Sequence, residues 1–248
     1  MHAFLLVGVG LWCFVTALAG GLVGLVLGNI RLPVLVLAAS NPAAGAGTNI
    51  GVSAVAALSA AVSHVRAGRI DWRLFVWMAP PSMAGAAIGG LLSGAVPGNA
   101  LLVVIGVTLL VFGVDLLRPQ PDGPQTGSGR PRAAAAILTG ALIGLLGGFV
   151  GLILGALRLP ALLRFGIDPF RAVGTNAAVG FCLGSAGLFG HLPGGVDWTL
   201  LAVGALTSVP GAILGARLTG RLDEGQLLRA VGVILLVAGT VTILQGIL

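Results

Sequence analysis

Long apolar runs dominate the chain, and polar residues mainly punctuate them. The first run fills 3–27, and Gly20-Gly21 reads as a break within it. A short run, Leu32 to Ala39, follows Arg31 and is bracketed by Pro33 and Pro42. It falls well short of the ~20 apolar residues that a spanning helix needs, and proline interrupts helical hydrogen bonding. The pattern therefore predicts either a broken helix or a re-entrant limb. Three helices are expected next, over Thr48–Val62, Trp72–Leu92 and Ala100–Leu117. The second is entered through Asp71 as N-cap and Trp72 as interfacial anchor. The stretch 118–132, RPQPDGPQTGSGRPR, is too rich in Pro, Gly, Gln and Ser to build a packed core. Beyond it the plan returns. Ala133–Leu157 is apolar with Gly147-Gly148 as the break, and Arg158–Gly166 is the second short limb. Ala172–Phe189, Trp198–Leu218 and Gln226–Leu248 read as helices.

The return is a duplication. Arg31, Pro33, Pro42, Gly47-Thr48-Asn49 and His64 recur 127 positions on as Arg158, Pro160, Pro169, Gly174-Thr175-Asn176 and His191. After a one-residue deletion Asp71-Trp72 matches Asp197-Trp198, and Gly85, Gly106 and Gly113 match Gly211, Gly232 and Gly239. The chain thus divides into a first transmembrane repeat (1–117), a linker (118–132) and a second repeat (133–248).

Composition fixes the class. The chain is 57% hydrophobic and only 8% charged, with a mean hydropathy of +1.09; a soluble domain carries about 25% charged residues. The expected fold is an all-α polytopic membrane protein. The net charge of +6 comes with arginine as its only basic side chain besides histidine. It reads as a topology signal toward the lipid bilayer, with no nucleic acid as partner. The linker holds Arg118, Arg130 and Arg132, which places it in the cytoplasm. Arg66 and Arg69 mark one loop whose repeat counterpart has none, while Arg217, Arg221 and Arg229 mark a loop whose counterpart at 93–99 has none. A bias that swaps between equivalent loops is expected of inverted-topology repeats with broken or re-entrant opening helices. It puts both termini outside a bacterial inner membrane. The opening segment lacks a basic n-region and a cleavage site, so it reads as a retained membrane segment. Glycine rows at 85–94 and 211–220 suit close helix packing, within one chain or between two in a homodimer. Cys13 and Cys182 read as small apolar residues, without the spacing of a metal site or disulfide framework.

An arginine inside apolar sequence costs a few kcal/mol at a bilayer centre. Arg31 and Arg158 therefore need a reason. A guanidinium presents a planar fork of donors suited to oxyanions, and two such groups would form a site for one small anion. The bland alternative is that each snorkels to a surface as a helix-end cap. Thr48, Asn49, Thr175 and Asn176, read at the start of a helix, would add N–H, hydroxyl and amide donors to that anion, or merely cap the helix. Asp168 reads as a salt-bridge partner of Arg164 or Arg171, or as a proton-coupling carboxylate beside its counterpart Asn41. His64 and His191 are further candidates for coupling. The sequence has no nucleophile–base set, no phosphate loop and no metal-ligand cluster, so neither enzyme chemistry nor a cofactor is expected.

The Gly24–Gly28 spacing with Leu32-Pro33, the downstream Gly-Thr-Asn, the Asp-Trp helix start and the duplication together resemble the sulfite exporter TauE/SafE family of membrane permeases. The resemblance covers roughly 3–117 and 133–248. The family pattern places a Gly-x-Gly-Gly-Gly run before the proline. This chain has Leu25-Val26-Leu27-Gly28 and Leu152-Ile153-Leu154-Gly155 instead, with an arginine two residues before each proline. The resemblance implies movement of sulfite, sulfonates or related organic anions, often outward, with proton or ion coupling. The resulting expectation is a transporter that exports sulfite or an organosulfonate by alternating access. The alternatives are an uptake permease for another anion such as a carboxylate, and a membrane scaffold subunit without transport of its own.

Overall fold

The computed structural model describes residues 3–91, 98–118, 133–150, 155–192 and 195–247. Among them the chain is helical throughout, without strands. The first repeat supplies α1 (Ala3–Val23), α2 (Gly28–Ala38), α3 (Pro42–Arg66), α4 (Trp72–Leu91) and α5 (Gly98–Leu117). The second supplies α6 (Ala133–Val150), α7 (Gly155–Arg164), α8 (Pro169–His191), α9 (Trp198–Thr219) and α10 (Glu224–Ile247). Among the described residues five helices, α1, α3, α8, α9 and α10, are long and apolar enough to cross a membrane. Large apolar side chains such as Val15, Val76, Val104, Leu206 and Val237 point outward from the bundle, as lipid contact requires. The protein is a multi-pass membrane protein. The linker beyond Arg118, the loop at 92–97 and the segment Gly151–Leu154 lie outside the described residues.

Helix ends differ from the sequence reading in informative ways. The first break falls at Gly24, with α1 running through Gly20-Gly21. Gly24 has φ +66° and Leu25 N–H donates to Gly20 O at 2.8 Å, the six-to-one bond of a Schellman ending. Gly21, expected to break the helix, instead lets it pack closely: a Cβ there would collide with Ala212 O of α9. α2 begins at Gly28, so Arg31 and Pro33 lie inside it. Pro33 cannot donate to Asn29 O, four residues back. That carbonyl is taken by Gln245 Nε2 of α10 at 2.8 Å, while Asn29 Nδ2 donates to Thr242 Oγ1 at 2.9 Å. The interrupted ladder of α2 thus becomes its dock on α10. α3 begins at Pro42 and α8 at Pro169, well before the Gly-Thr-Asn triplets. The prolines occupy the first helical position, where their missing N–H costs nothing.

The packing interlocks the repeats. α1 packs on α9, and its counterpart α6 packs on α4. α3 packs on α8 and α5 on α10, each helix against its own repeat equivalent. Backbones approach closely at glycine. Gly106 faces Gly239 O and Gly113 faces Gly232 O, so α5 and α10 run antiparallel. Ile50 lies against Gly187 and Ala57 against Gly180, so α3 and α8 do as well. In the glycine rows, Gly85 meets Ala141 O of α6, and Gly211 and Gly215 meet Phe14 O and Leu18 O of α1. These positions pack within one chain.

Candidate functional site

The repeated polar residues converge where α2 and α7 meet the central α3–α8 pair. Arg31 is 2% exposed and Arg158 fully buried. Neither snorkels to a surface. Arg31 Nε donates to Asn49 Oδ1 at 3.0 Å, and Nη2 donates to Asn49 O at 3.2 Å and Ser53 Oγ at 2.5 Å. Arg158 Nη1 donates to Asn176 Oδ1 at 3.1 Å. The other end of each asparagine holds backbone. Asn49 Nδ2 donates to Gly28 O at 3.0 Å, and Asn176 Nδ2 donates to Gly155 O at 3.0 Å and to Gly24 O at 2.8 Å. Each asparagine therefore fixes one arginine and the start of the short helix that carries it. Among the described residues neither arginine has a carboxylate partner, so two positive charges are enclosed without a fixed counter-charge. Such an arrangement is unfavourable unless an anion completes it.

The threonines have a different task. Asp197 N–H donates to Thr48 Oγ1 at 2.9 Å, and Asp71 N–H donates to Thr175 Oγ1 at 2.9 Å. Each threonine thus reaches the Asp-Trp corner of the other repeat. There the aspartate caps its own helix, Asp71 Oδ1 accepting from Leu74 N–H and Asp197 Oδ1 from Leu200 N–H, both at 3.0 Å. The preceding glycines permit this approach. A Cβ on Gly174 would strike Arg69 O, and one on Gly47 would lie 2.7 Å from Gly195 O. The triplet therefore reads residue by residue: glycine admits the opposite loop, threonine ties it, and asparagine holds the arginine. It lies within α3 and α8, so its backbone N–H groups do not form a helix N-terminus, contrary to the sequence reading. Replacing either threonine with valine keeps the shape and removes the tie. Thr48→Val and Thr175→Val are each expected to cost about 1 kcal/mol, read as a lower melting temperature in detergent, with additive losses in the double variant.

Asn41 and Asp168 cap α3 and α8. Asn41 Oδ1 accepts from Ala44 N–H at 2.9 Å and Asp168 Oδ1 from Arg171 N–H at 3.1 Å. Asp168 thus bonds Arg171 through its backbone, where the sequence suggested a guanidinium partner. His191 Nδ1 is 3.0 Å from Gly187 O in its own helix. His64 is fully buried, its Nε2 lying 3.4 Å from Gly21 O, deeper than a place near a loop suggests. Cys13 is buried at the α1–α9 contact, beside Ser208, whose hydroxyl donates to Cys13 O at 3.3 Å. The sequence reading passed over Ser53. It lies four residues after Asn49, on the same helix face, and that spacing was the available signal.

A narrow cavity borders Arg31. It is lined by Gly20, Gly24, Val26, Ala57 and Ala177 among others and leaves about 10 Å³ for water, room for roughly one molecule. The site is closed in this conformation. No cluster of metal-ligating side chains is found among the described residues.

A sequence profile described as Sulfite exporter TauE/SafE matches residues 9–242. Among curated proteins, the probable membrane transporter protein YjnA of Bacillus subtilis is 29% identical over 243 residues, covering 91% of this chain and 94% of the relative. The probable membrane transporter protein YunE of the same organism is 25% identical over 282 residues, covering 100% and 99%. The probable membrane transporter protein y4hK of Sinorhizobium fredii is 26% identical, covering 94% and 96%. No solved structure matches the chain.

Proposed function

Because the chain belongs to the sulfite exporter TauE/SafE family, we propose that it is a membrane transporter of small sulfur-containing anions, exporting sulfite or an organosulfonate by alternating access. The carrying observation is the pair of buried arginines, one from each repeat, that no carboxylate among the described residues compensates. In this reading Arg31 and Arg158 supply the positive site, and Asn49 and Asn176 orient them. Thr48 and Thr175 keep the two repeats in register around it. The closed cavity is one stage of the cycle, and separation of the repeats would open it to one side or the other.

The test is reconstitution of the purified chain in liposomes loaded with sulfite, sulfoacetate or acetate. Efflux of the sulfur anions, lost in the Arg31→Ala, Arg158→Ala double variant, is the expected result. Acetate efflux in their place would assign a carboxylate permease. No flux of any of the three would remove the transport reading.

The same reading takes the repeats as inverted in an inner membrane, with both termini outside. The antiparallel contacts of α3 with α8 and of α5 with α10 support it, as does the arginine bias that swaps between equivalent loops. A cysteine tag at either terminus is expected to react with an impermeant maleimide on spheroplasts before lysis. Labelling of the C-terminal tag only after lysis would exclude the inverted arrangement.

A further inference from the structure

The two buried arginines are not used alike. Arg31 uses the guanidinium edge formed by Nε and Nη2, which meets Asn49 Oδ1, Asn49 O and Ser53 Oγ. The same edge of Arg158 is buried and has no partner among the described residues. Among the described residues its one hydrogen bond leaves from Nη1. The sequence carries a matching difference. The counterpart of Ser53, 127 positions on, is Gly180, although the arginine, threonine and asparagine of the two repeats are the same. Position 180 offers no hydroxyl. A Cβ there would meet Val26 Cγ2 at 3.0 Å and Ala57 Cβ at 3.9 Å. Val26 and Ala57 also line the narrow cavity beside Arg31, so position 180 packs against two residues of that cavity's wall.

Resting on the reading of the chain as an anion transporter, we infer that the transported oxyanion is held on one side of the pseudosymmetric site, by the Nε–Nη2 edge of Arg158, in the repeat where Gly180 stands in place of Ser53. Arg31 is a positioning residue whose equivalent edge is already filled by its own chain. The ligand class follows from the donors. Two near-parallel N–H groups match two oxygens on one centre, as in sulfite, a sulfonate or a carboxylate. A halide, a single atom, cannot meet both donors with two oxygens. What Asn49 and Ser53 do for Arg31 is what the anion does for Arg158.

Gly180→Ser is the discriminating variant, because it restores the missing hydroxyl. The full chain in detergent is titrated calorimetrically with sulfite, sulfoacetate and acetate, with chloride as control. Gly180→Ser is expected to weaken oxyanion binding on the order of tenfold or more, the loss of a hydrogen bond to a charged group. Without anion its melting temperature is expected to equal or exceed that of the unaltered chain. Gly180→Ala, which adds bulk without an acceptor, and Ser53→Ala are expected to stay within about threefold. Should Gly180→Ser fail to fold, Arg158→Lys keeps the charge and removes the paired edge, and a loss of the same order is expected. Equal weakening by Gly180→Ala and Gly180→Ser overturns the one-sided site. So does a larger loss in Ser53→Ala than in Gly180→Ser, or unchanged binding in Arg158→Lys. Each of those leaves a two-arginine anion site standing. Failure of all three oxyanions to bind the unaltered chain, together with no flux in liposomes, removes the anion reading itself.

Discussion

Asn176→Leu is expected to destabilise the protein by about 3–5 kcal/mol, and by more than Asn49→Leu does. Leucine matches asparagine in size but neither accepts nor donates. The change removes the one hydrogen bond that Arg158 makes among the described residues and frees the carbonyls of Gly24 and Gly155. A buried charge stripped of its partner is among the most costly single lesions in a protein. Asn49→Leu is milder, because Arg31 keeps Asn49 O and Ser53 Oγ. Thermal unfolding in detergent reads both. Equal losses would mean that the asparagines act as space-fillers. Asn49→Asp separates structure from transport. It keeps an acceptor for Arg31 and adds a fixed negative charge, so the protein should fold while anion binding falls. An Asn49→Asp variant that binds anions as the unaltered chain does would mean that the charge of Arg31 contributes nothing to the attraction of an anion held at Arg158.

Gly24→Ala is expected to cost about 3 kcal/mol or more and to reduce the yield of monodisperse protein sharply. Two effects add. The φ of +66° costs a residue with a Cβ about 1–2 kcal/mol. The new methyl would also collide with Val173 O of the other repeat, and backbone cannot retreat as a side chain tip can. Gly68→Ala is the internal control: its φ is +67°, but nothing lies within 4 Å of the added atom. It should lose only the conformational part. If both variants lose the same amount, the contact between the α1 ending and α8 contributes nothing to stability.

Much of this fold is legible in the sequence. The duplication located both short helices and both buried arginines, because an Arg-x-Pro in apolar sequence is rare enough to survive the compositional bias. The Asp-Trp corners were correctly read as helix starts, since capping is local. The starts of α3 and α8 were misplaced for an equally local reason. Pro42 reads in the sequence as an end of the short run and Asp168 as a salt-bridge or coupling carboxylate, when a capping residue followed by proline is also a helix start. The bonds from Thr48 to Asp197 and from Thr175 to Asp71 could not be read at all. They join residues more than a hundred positions apart, and nothing local marks a partner. The difference between Ser53 and Gly180 is visible in the sequence, but its meaning depends on which guanidinium edge each arginine presents. The geometry draws its asymmetry from a place where they differ.

The crosswise ties also bear on how such a chain could arise. α1 finds its partner in α9 and α6 finds its partner in α4, and each Asp-Trp corner is held by a threonine of the other half. A gene encoding one half alone would make a polypeptide with an unpaired first helix and an untied corner. Such a product would be complete only when two copies embraced each other. Fusion of the two copies would then have released each from the demand of serving both positions, and the loss or gain of a single hydroxyl, Ser53 or Gly180, is the kind of divergence that release permits.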